Sequence, residues 1–307
     1  MKYYIFILSI IFGSCHFSEP QSGPTEDWLN KYAQQSLRTD PKDYAFMYTK
    51  LPQSLDSLCH LIKCQLIHPL EASQMNLELE EFSQDGITPT VKDLLEQLLS
   101  ADSAGLSYTR EISDRLVVAC YHHAMLLASF LRHQGIPVRL RAGFSKFYEK
   151  QYKVRFGHII CQVWDKQLQK WILVDPDREI VDMPEKNFDF AYEAWNNVNE
   201  KRTDAHIYTS SISDGIKGII NLMILDAALI VKDEKQYWDL PEIVFRNINN
   251  VKDLDKEVIT ALNELADYSD SPDTRINEIS EIYKTTNYFK SSGIEYDDYV
   301  EMIMNRE

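Results

Sequence analysis

The chain has 307 residues, which is enough to bury the core of one large domain or of two smaller ones. Hydrophobic residues make up 44% and charged residues 26%, as is typical of soluble globular proteins, so collagen-like, coiled-coil and wholly disordered chains are excluded. The formal net charge of −15 argues against binding to the phosphates of nucleic acid, which requires a basic surface. We therefore expect a folded protein whose partner is not a nucleic acid.

The first 14 residues have the pattern of a signal peptide. One Lys follows the initiator Met, an apolar run extends from Tyr3 to Phe12, and the small residues Gly13 and Ser14 precede Cys15. The end of this segment resembles the lipobox of bacterial lipoproteins, in which the peptide is cut before the Cys and the thiol is lipidated. The resemblance predicts lipidation at Cys15 and a membrane-anchored protein of the cell envelope, facing the periplasm or the cell surface. Ordinary cleavage and an uncleaved anchor are the alternatives.

Composition and patterning divide the rest of the chain into a linker and three regions. Residues 15–26 are rich in Pro, Gly and Ser and predict a flexible linker. Residues 27–110 are predicted to form a helical N-terminal region, and residues 111–250 a core with a helical extension. Residues 251–307 form an acidic helical segment, with six Lys and Arg against 14 Asp and Glu.

The N-terminal region contains three predicted helices. The first covers residues 28–37, and the second is opened by Pro52 and carries apolar residues at helical spacing up to Leu66. The third, Val91–Leu99, is amphipathic. The second helix includes Cys59 and Cys64, which we interpret as buried, packed thiols.

The segment from Cys120 to Asp175 is predicted to contain one helix and then three strands. A helix begins at Cys120 and is closed by Gly135 as a left-handed cap. Three strands follow, Val138–Phe144, His158–Trp164 and Trp171–Asp175, the last two joined by a polar loop. A helix followed by an antiparallel meander predicts the α+β class.

Helices return after the sheet. Residues 218–231 are almost entirely apolar and predict a helix buried on most of its faces. Two more are predicted at Leu254–Ala266 and, with Ser271 as N-cap, at Asp273–Lys284. The acidic residues beyond them are expected to be frayed.

Pairing of the last two strands places candidate catalytic groups on one face of the sheet. If Trp164 lies opposite Trp171, then His158, Asp175 and Asp177 project from the same face. Either carboxylate is then able to reach the imidazole of His158. The spacing alone does not decide between Asp175 and Asp177.

Cys120 is the candidate nucleophile among the five cysteines. Unpaired N–H groups and the positive end of the helix dipole favour a thiolate at a helix start, and a neighbouring His favours it further. A Cys, a His and an acidic group that orients the His are the parts of a nucleophilic triad. The alternative interpretation is a packed Cys and a hydrogen-bonded core His.

Other features favour structural roles. Cys161 is out of phase with His158 along its strand, so it is predicted to face the core. His122 and His123 diverge by about 100° around the helix, which argues against a shared metal ion, and we expect no metal or cofactor. A basic loop is interpreted as a solvated hairpin tip rather than a clamp for an acidic substrate; it contains Lys146, Lys150, Lys153 and Arg155.

The segments CYHHAMLLASFLRHQGIPVRLRAGF and GHIICQVWDKQLQKWILVDPD resemble the core of the transglutaminase-like superfamily. The shared features are a helix that starts at Cys, an R-x-x-G-I-P-x-R segment, a strand that carries His and a W-x-x-V-D-P strand. The resemblance implies a papain-like fold with Cys120 as nucleophile, His158 as base and Asp175 as orienting acid. Weaker similarity to bacterial members of the group extends over about residues 50–245. Its framework matches include Arg132, Gly135, Ile136, Pro137, Arg139, Trp164, Trp171 and Pro176.

The resemblance implies thiol acyl chemistry at an amide bond, without a cofactor. Water as acceptor gives a peptidase or amidase, an amine gives a transferase, and the substrate is a protein, a peptide or a peptidoglycan-type amide. Four residues beside the triad depart from the pattern of the group, namely Val118, Tyr121, Gly157 and Ile159. The alternative is therefore an inactive lipoprotein that keeps the fold and holds a peptide or glycan.

Overall fold

A computed structural model describes residues 25–75, 84–107, 109–210 and 213–304. The predicted signal peptide, Cys15 and the predicted linker up to residue 24 lie outside the described residues. No helix of the described ranges is both long and apolar enough to span a bilayer.

The protein is mixed helix and sheet, which confirms the α+β class. Its described helices are α1 (Glu26–Tyr32), α2 (Leu55–Lys63), α3 (Pro69–Gln74), α4 (Val91–Ala101), α5 (Cys120–His133), α6 (Glu149–Tyr152), α7 (Ala191–Asn199), α8 (Gly215–Ile230), α9 (Lys256–Asp270), α10 (Pro272–Thr285) and α11 (Tyr296–Met304). Its described strands are β1 (Leu66–Ile67), β2 (Leu116–Val117), β3 (Val138–Ser145), β4 (Arg155–Asp165), β5 (Lys170–Asp175), β6 (Ile180–Val181), β7 (Phe188–Phe190) and β8 (Tyr208–Thr209).

The main sheet has the order β6-β5-β4-β3-β7, and its neighbours on this path are antiparallel. β8 adds to the N-terminal end of β4 in parallel. The predicted register of the central hairpin is confirmed, because Trp164 lies opposite Trp171 and their ring centroids are 5.3 Å apart. This register brings the His of β4 and the acid of β5 to neighbouring positions.

Helix α5 is the central helix, and its bounds agree with the prediction. Its residues from Cys120 to Arg132 are all buried. Gly135 ends it with φ +73°, a left-handed conformation that glycine adopts without strain. Cys161 on β4 faces this helix and donates its S–H to the carbonyl of Ala124, as the predicted core position requires.

The second predicted helix is shorter than its apolar spacing indicates. α2 ends at Lys63, and Leu66 and Ile67 form β1, which pairs in parallel with β2. The prediction was wrong here because Leu66 and Ile67 are buried by pairing with a distant strand instead of continuing the helix. Cys59 and Cys64 are buried and free, as predicted.

Helix α8 is buried along almost its whole length, as predicted, and a paired charge ties it to the sheet. Asp226 on α8 accepts from Arg141 Nε and Nη2, both at 2.9 Å, and from the backbone N–H of Ala142 at 2.8 Å. Both side chains are nearly inaccessible. The pair fixes α8 against β3, which matters because α8 forms one wall of the cavity described below.

The expectation of a frayed C-terminal end is wrong. The acidic stretch forms α11, in which Tyr299 is 2% exposed and Tyr296 packs edge-on against Trp238. The apolar residues of α11 lie on one face at helical spacing, so their burial outweighs the acidic composition of the segment. The two helices before it agree with the prediction, and Ser271 is the N-cap of α10.

The basic loop is only partly solvated, so its interpretation as a hairpin tip needs correction. Lys146 and Arg155 both pair with Asp189 at 2.5 Å and are largely covered. Lys150 and Lys153 are exposed, as expected. Two of the four cations therefore hold the β3–β4 connection against β7 through a carboxylate.

We predict that Asp226→Ala lowers the free energy of unfolding by about 3–5 kcal/mol, because it leaves the guanidinium of Arg141 buried and unpaired. Glu200→Ala removes an exposed carboxylate that pairs with exposed Arg202, and should cost less than about 1 kcal/mol. Urea unfolding followed by circular dichroism measures both. Equal effects of the two substitutions would contradict a structural role for the buried pair.

Candidate active site

His158 and Asp175 form a buried pair on neighbouring strands. His158 Nε2 lies 2.9 Å from Asp175 Oδ2, and the backbone N–H of Arg178 donates to Asp175 Oδ1 at 3.2 Å. A carboxylate only accepts, so Nε2 carries the hydrogen in this pair. Nδ1 of His158 is thereby left as the nitrogen that is able to exchange a proton with another group. Asp177, the alternative acid, does not make this contact.

Cys120 is the first residue of α5 and retains 9% of its surface exposed. Burial alone raises the pKa of its thiol, but the charges and hydrogen bonds of His158 and His68 outweigh burial and lower this pKa to about 6. The described cysteines differ sharply in this respect, because burial raises the pKa of Cys59 to about 12 and that of Cys161 well above its ordinary value. Cys120 is thus chemically set apart from them.

The pKa of the His158 imidazole is shifted in the direction opposite to that of the Cys120 thiol. Burial by itself lowers the pKa of His158, yet the carboxylate of Asp175 and the thiolate of Cys120 raise it well above its ordinary value. A thiol with a lowered pKa next to an imidazole with a raised pKa favours the thiolate–imidazolium pair at neutral pH. The arrangement is capable of nucleophilic attack on an acyl carbon.

His68 is a second imidazole beside the thiol, and the sequence analysis did not identify it. The parallel pairing of β1 with β2 places Ile67 opposite Val117, and the N–H of Val118 donates to the carbonyl of Ile67 at 3.0 Å. His68 follows β1 as Cys120 follows β2, so both side chains line the same cavity. The one available signal was the His-Pro pair, since His68 is the N-cap of α3 with Pro69 in the first turn.

The N-cap contact of His68 fixes which nitrogen faces Cys120. Its Nδ1 accepts the backbone N–H of Leu70 at 3.2 Å. An accepting imidazole nitrogen carries no hydrogen, so the hydrogen of the neutral ring is on Nε2. Burial lowers the pKa of His68, whereas the hydrogen bond to Cys120 and the charge of Asp177 raise it, and the net direction is upward.

Asp177 lies beside the site and pairs with other polar side chains. Its Oδ1 lies 3.4 Å from Lys63 Nζ and 3.6 Å from His123 Nε2. Burial opposes its ionisation, but these neighbours and His68 lower the pKa of Asp177. Burial also lowers the pKa of His123 to about 4, so at neutral pH Lys63 is the cationic partner of this carboxylate.

The start of α5 is fixed by Asp85. Its Oδ1 accepts the backbone N–H of Ala119 at 2.9 Å, and its Oδ2 accepts the hydroxyl of Tyr237 at 2.5 Å. His122 Nδ1 lies 2.9 Å from Asp85 Oδ1, whereas His123 is directed toward Asp177. The two histidines therefore diverge, as predicted. No cluster of three or more ligating side chains suited to a metal ion occurs in the described ranges.

A cavity of about 790 Å³ opens beside the thiol, which is within the roughly 300–1,000 Å³ typical of small-molecule sites. Cys120, His158 and His68 lie in its lining. The other lining residues come mainly from the N-terminal end of β4, from α8 and from α11. The sequence analysis did not predict that α11 lines this cavity, because the acidic composition of the segment suggested a frayed end and not an amphipathic helix.

Two of the departures from the family pattern have a structural explanation. A Cβ at Gly157 would lie 3.1 Å from both Leu222 Cδ1 and Ser210 Cβ, so a larger residue would require these side chains to shift by a few tenths of an ångström. The side chain of Tyr121 is buried, and its hydroxyl donates to the carbonyl of Glu234 at 2.9 Å. Both residues therefore support packing next to the site.

Residues 112–176 match the family model of the transglutaminase-like superfamily, and this range includes Cys120, His158 and Asp175. The chain therefore contains a transglutaminase-like domain, of a family that performs cysteine-based acyl transfer or peptidase-like chemistry. No curated protein and no solved structure gives a significant match to the chain.

We predict that His68→Asn raises the pKa of the Cys120 thiol from about 6 toward the ordinary thiol value. Asn retains an oxygen that is able to accept the N–H of Leu70, so the N-cap is kept, but its shorter side chain does not reach the sulfur. The pH dependence of alkylation by iodoacetamide, followed on the Cys120 peptide by mass spectrometry, measures this shift. His206→Asn, at an exposed position, is the control. An unchanged thiol pKa in a folded His68→Asn variant would contradict this assignment.

Proposed function

We propose that Cys120, His158 and Asp175 form a catalytic triad that performs hydrolysis or acyl transfer at an amide bond. The observation that carries the proposal is that Cys120, at the start of α5, lines the same cavity as His158, whose Nε2 lies 2.9 Å from Asp175 Oδ2. The nucleophile, base and orienting acid occupy the roles that thiol acyl chemistry requires. A cofactor has no step in this chemistry.

Acylation uses the thiolate–imidazolium pair. The sulfur of Cys120 attacks the carbonyl carbon, and the C–O double bond opens to a tetrahedral oxyanion. The backbone N–H of Cys120, in the first turn of α5, and Nε2–H of His68 are the proposed donors to this oxyanion. When the C–N bond breaks, His158 gives its proton to the leaving amine and a thioester remains on Cys120.

Deacylation returns the site to its starting state. Water or a second amine attacks the thioester carbon, and neutral His158 takes up the proton of the attacking group. The C–S bond then breaks and Cys120 leaves as thiolate beside the imidazolium. Water gives an acid, as in a peptidase or amidase, and an amine gives a new amide, as in a transferase.

We predict that alkylation of Cys120 by iodoacetamide rises with pH through about 6, where the thiolate forms, and is then level through neutral pH. His158→Gln removes the imidazolium and should move this rise toward the ordinary thiol pKa. Mass spectrometry of the alkylated peptides gives both profiles. Cys59, whose pKa burial raises to about 12, is the internal control and should stay unreactive.

Cys120→Ala tests the enzymatic role itself, and it should abolish every amide-cleaving or amine-incorporating activity of the purified protein. A thiol that titrates like free cysteine, together with activity that persists in Cys120→Ala, would overturn the triad. The alternative is a binding protein that keeps the fold and holds a peptide or glycan. That alternative predicts ligand binding without turnover.

We also propose that the protein is an extracytoplasmic lipoprotein, anchored through Cys15, that acts on protein, peptide or peptidoglycan-type amides. The proposal rests on the residues before Cys15 and their resemblance to a lipobox. Growth with radiolabelled palmitate should label the wild-type chain in the membrane fraction but not Cys15→Ser. Equal labelling of both would exclude lipidation at this residue.

A further inference from the structure

The cavity beside Cys120 is bounded by two helices that lie outside the segment matched to the family. Helix α8 contributes Leu222 and Leu225, and helix α11 contributes Tyr296, Val300 and Ile303. Most of this surface is apolar. A large aliphatic or aromatic group that enters the cavity would therefore gain free energy in proportion to the apolar area it buries.

The charged side chains of the lining already have partners. Arg178 donates to the hydroxyl of Tyr148 at 2.7 Å, and its guanidinium lies 4.5 Å from the centroid of that ring. Asp177 is paired with Lys63. Asp85 accepts from Ala119 and Tyr237. A charged substrate group in this cavity would lose its hydration without gaining a free counter-ion, which is unfavourable.

Asn221 differs from the charged residues of the lining because it is neutral and, within the described ranges, unpaired. It lies on α8, it is 3% exposed, and its amide has no hydrogen-bond partner among the residues that the structure describes. Buried amides are normally paired, so an unpartnered one that faces a cavity is suited to bind a ligand. The amide both donates and accepts, as does one peptide group.

We propose that this cavity binds the acyl part of a peptide substrate, with a bulky apolar side chain packed between α8 and α11 and a neighbouring peptide group hydrogen-bonded to Asn221. This inference rests on the proposed function and names its substrate class. The apolar cavity disfavours the binding of peptides that carry an acidic or basic side chain at this position. The proposal also assigns α11, at the acidic end of the chain, to substrate selection.

Peptide chloromethyl ketones of the form acetyl-Ala-X, with X as Leu, Phe, Ala, Glu or Lys, test the proposal on the intact protein. Each probe forms a thioether with Cys120 and releases chloride, and the rate is followed by mass spectrometry. We expect Leu and Phe probes to react at least about tenfold faster than Glu and Lys probes, a ratio that an apolar pocket is able to provide. Iodoacetamide measures the intrinsic reactivity of the thiol.

Variants on α11 provide a matched pair. Ile303→Ala shortens the cavity wall and should reduce the preference for Leu over Ala, whereas Met304→Ala, which is 58% exposed on the same helix, should leave it unchanged. Asn221→Leu removes the amide at similar volume and should slow all peptide probes while leaving iodoacetamide unaffected.

The possible failures are distinguishable. Equal rates for all five probes, with fast alkylation of Cys120 by iodoacetamide, would overturn the substrate class and leave the proposed function standing. A Cys120 that reacts with iodoacetamide no faster than free cysteine would overturn the proposed function. Faster reaction of Glu or Lys probes would overturn the apolar pocket even if the variants on α11 failed to fold.

Discussion

The chemistry of the site depends on a balance at the sulfur of Cys120. Burial in the first turn of α5 favours the neutral thiol, whereas the charges and hydrogen bonds of His158 and His68 favour the thiolate and lower its pKa to about 6. Each imidazole is itself held in place, His158 by Asp175 and His68 by the N–H of Leu70. Without them a buried cysteine resembles Cys59, whose pKa burial raises to about 12.

Some of the residues that maintain this balance come from beyond the segment matched to the family. The β1–β2 pair places His68 beside the thiol, and Asp85 fixes the N–H of Ala119 at the start of α5. Tyr237, from a segment after α8, holds the other oxygen of Asp85. Contacts with β1, Asp85 and Tyr237 hold the start of α5, and therefore the sulfur of Cys120, in one position. Thiol acyl chemistry requires a nucleophile that is fixed in this way.

The sequence predicts best those features that depend on local pattern. The helix with its Gly135 cap, the central hairpin and the opposition of Trp164 and Trp171 follow from periodicity and turn chemistry. This pattern places an acidic residue near His158, but the choice of Asp175 over Asp177 came from the family resemblance. His68, Asn221 and α11 depend on long-range contacts and leave little local signal. Leu66 and Ile67 continue a helical spacing until pairing with β2 converts them to strand.

Gly157, one of the departures from the family pattern, lines the cavity where β4 approaches α8. A Cβ there would lie 3.1 Å from Leu222 Cδ1 and from Ser210 Cβ, so a larger residue would require these side chains to shift by a few tenths of an ångström. Glycine adds no charge next to His158, and Leu222 forms part of the apolar wall at this point. Because His158 and Asp175 keep their contact at 2.9 Å, this departure affects the wall of the cavity and leaves the His–Asp pair intact.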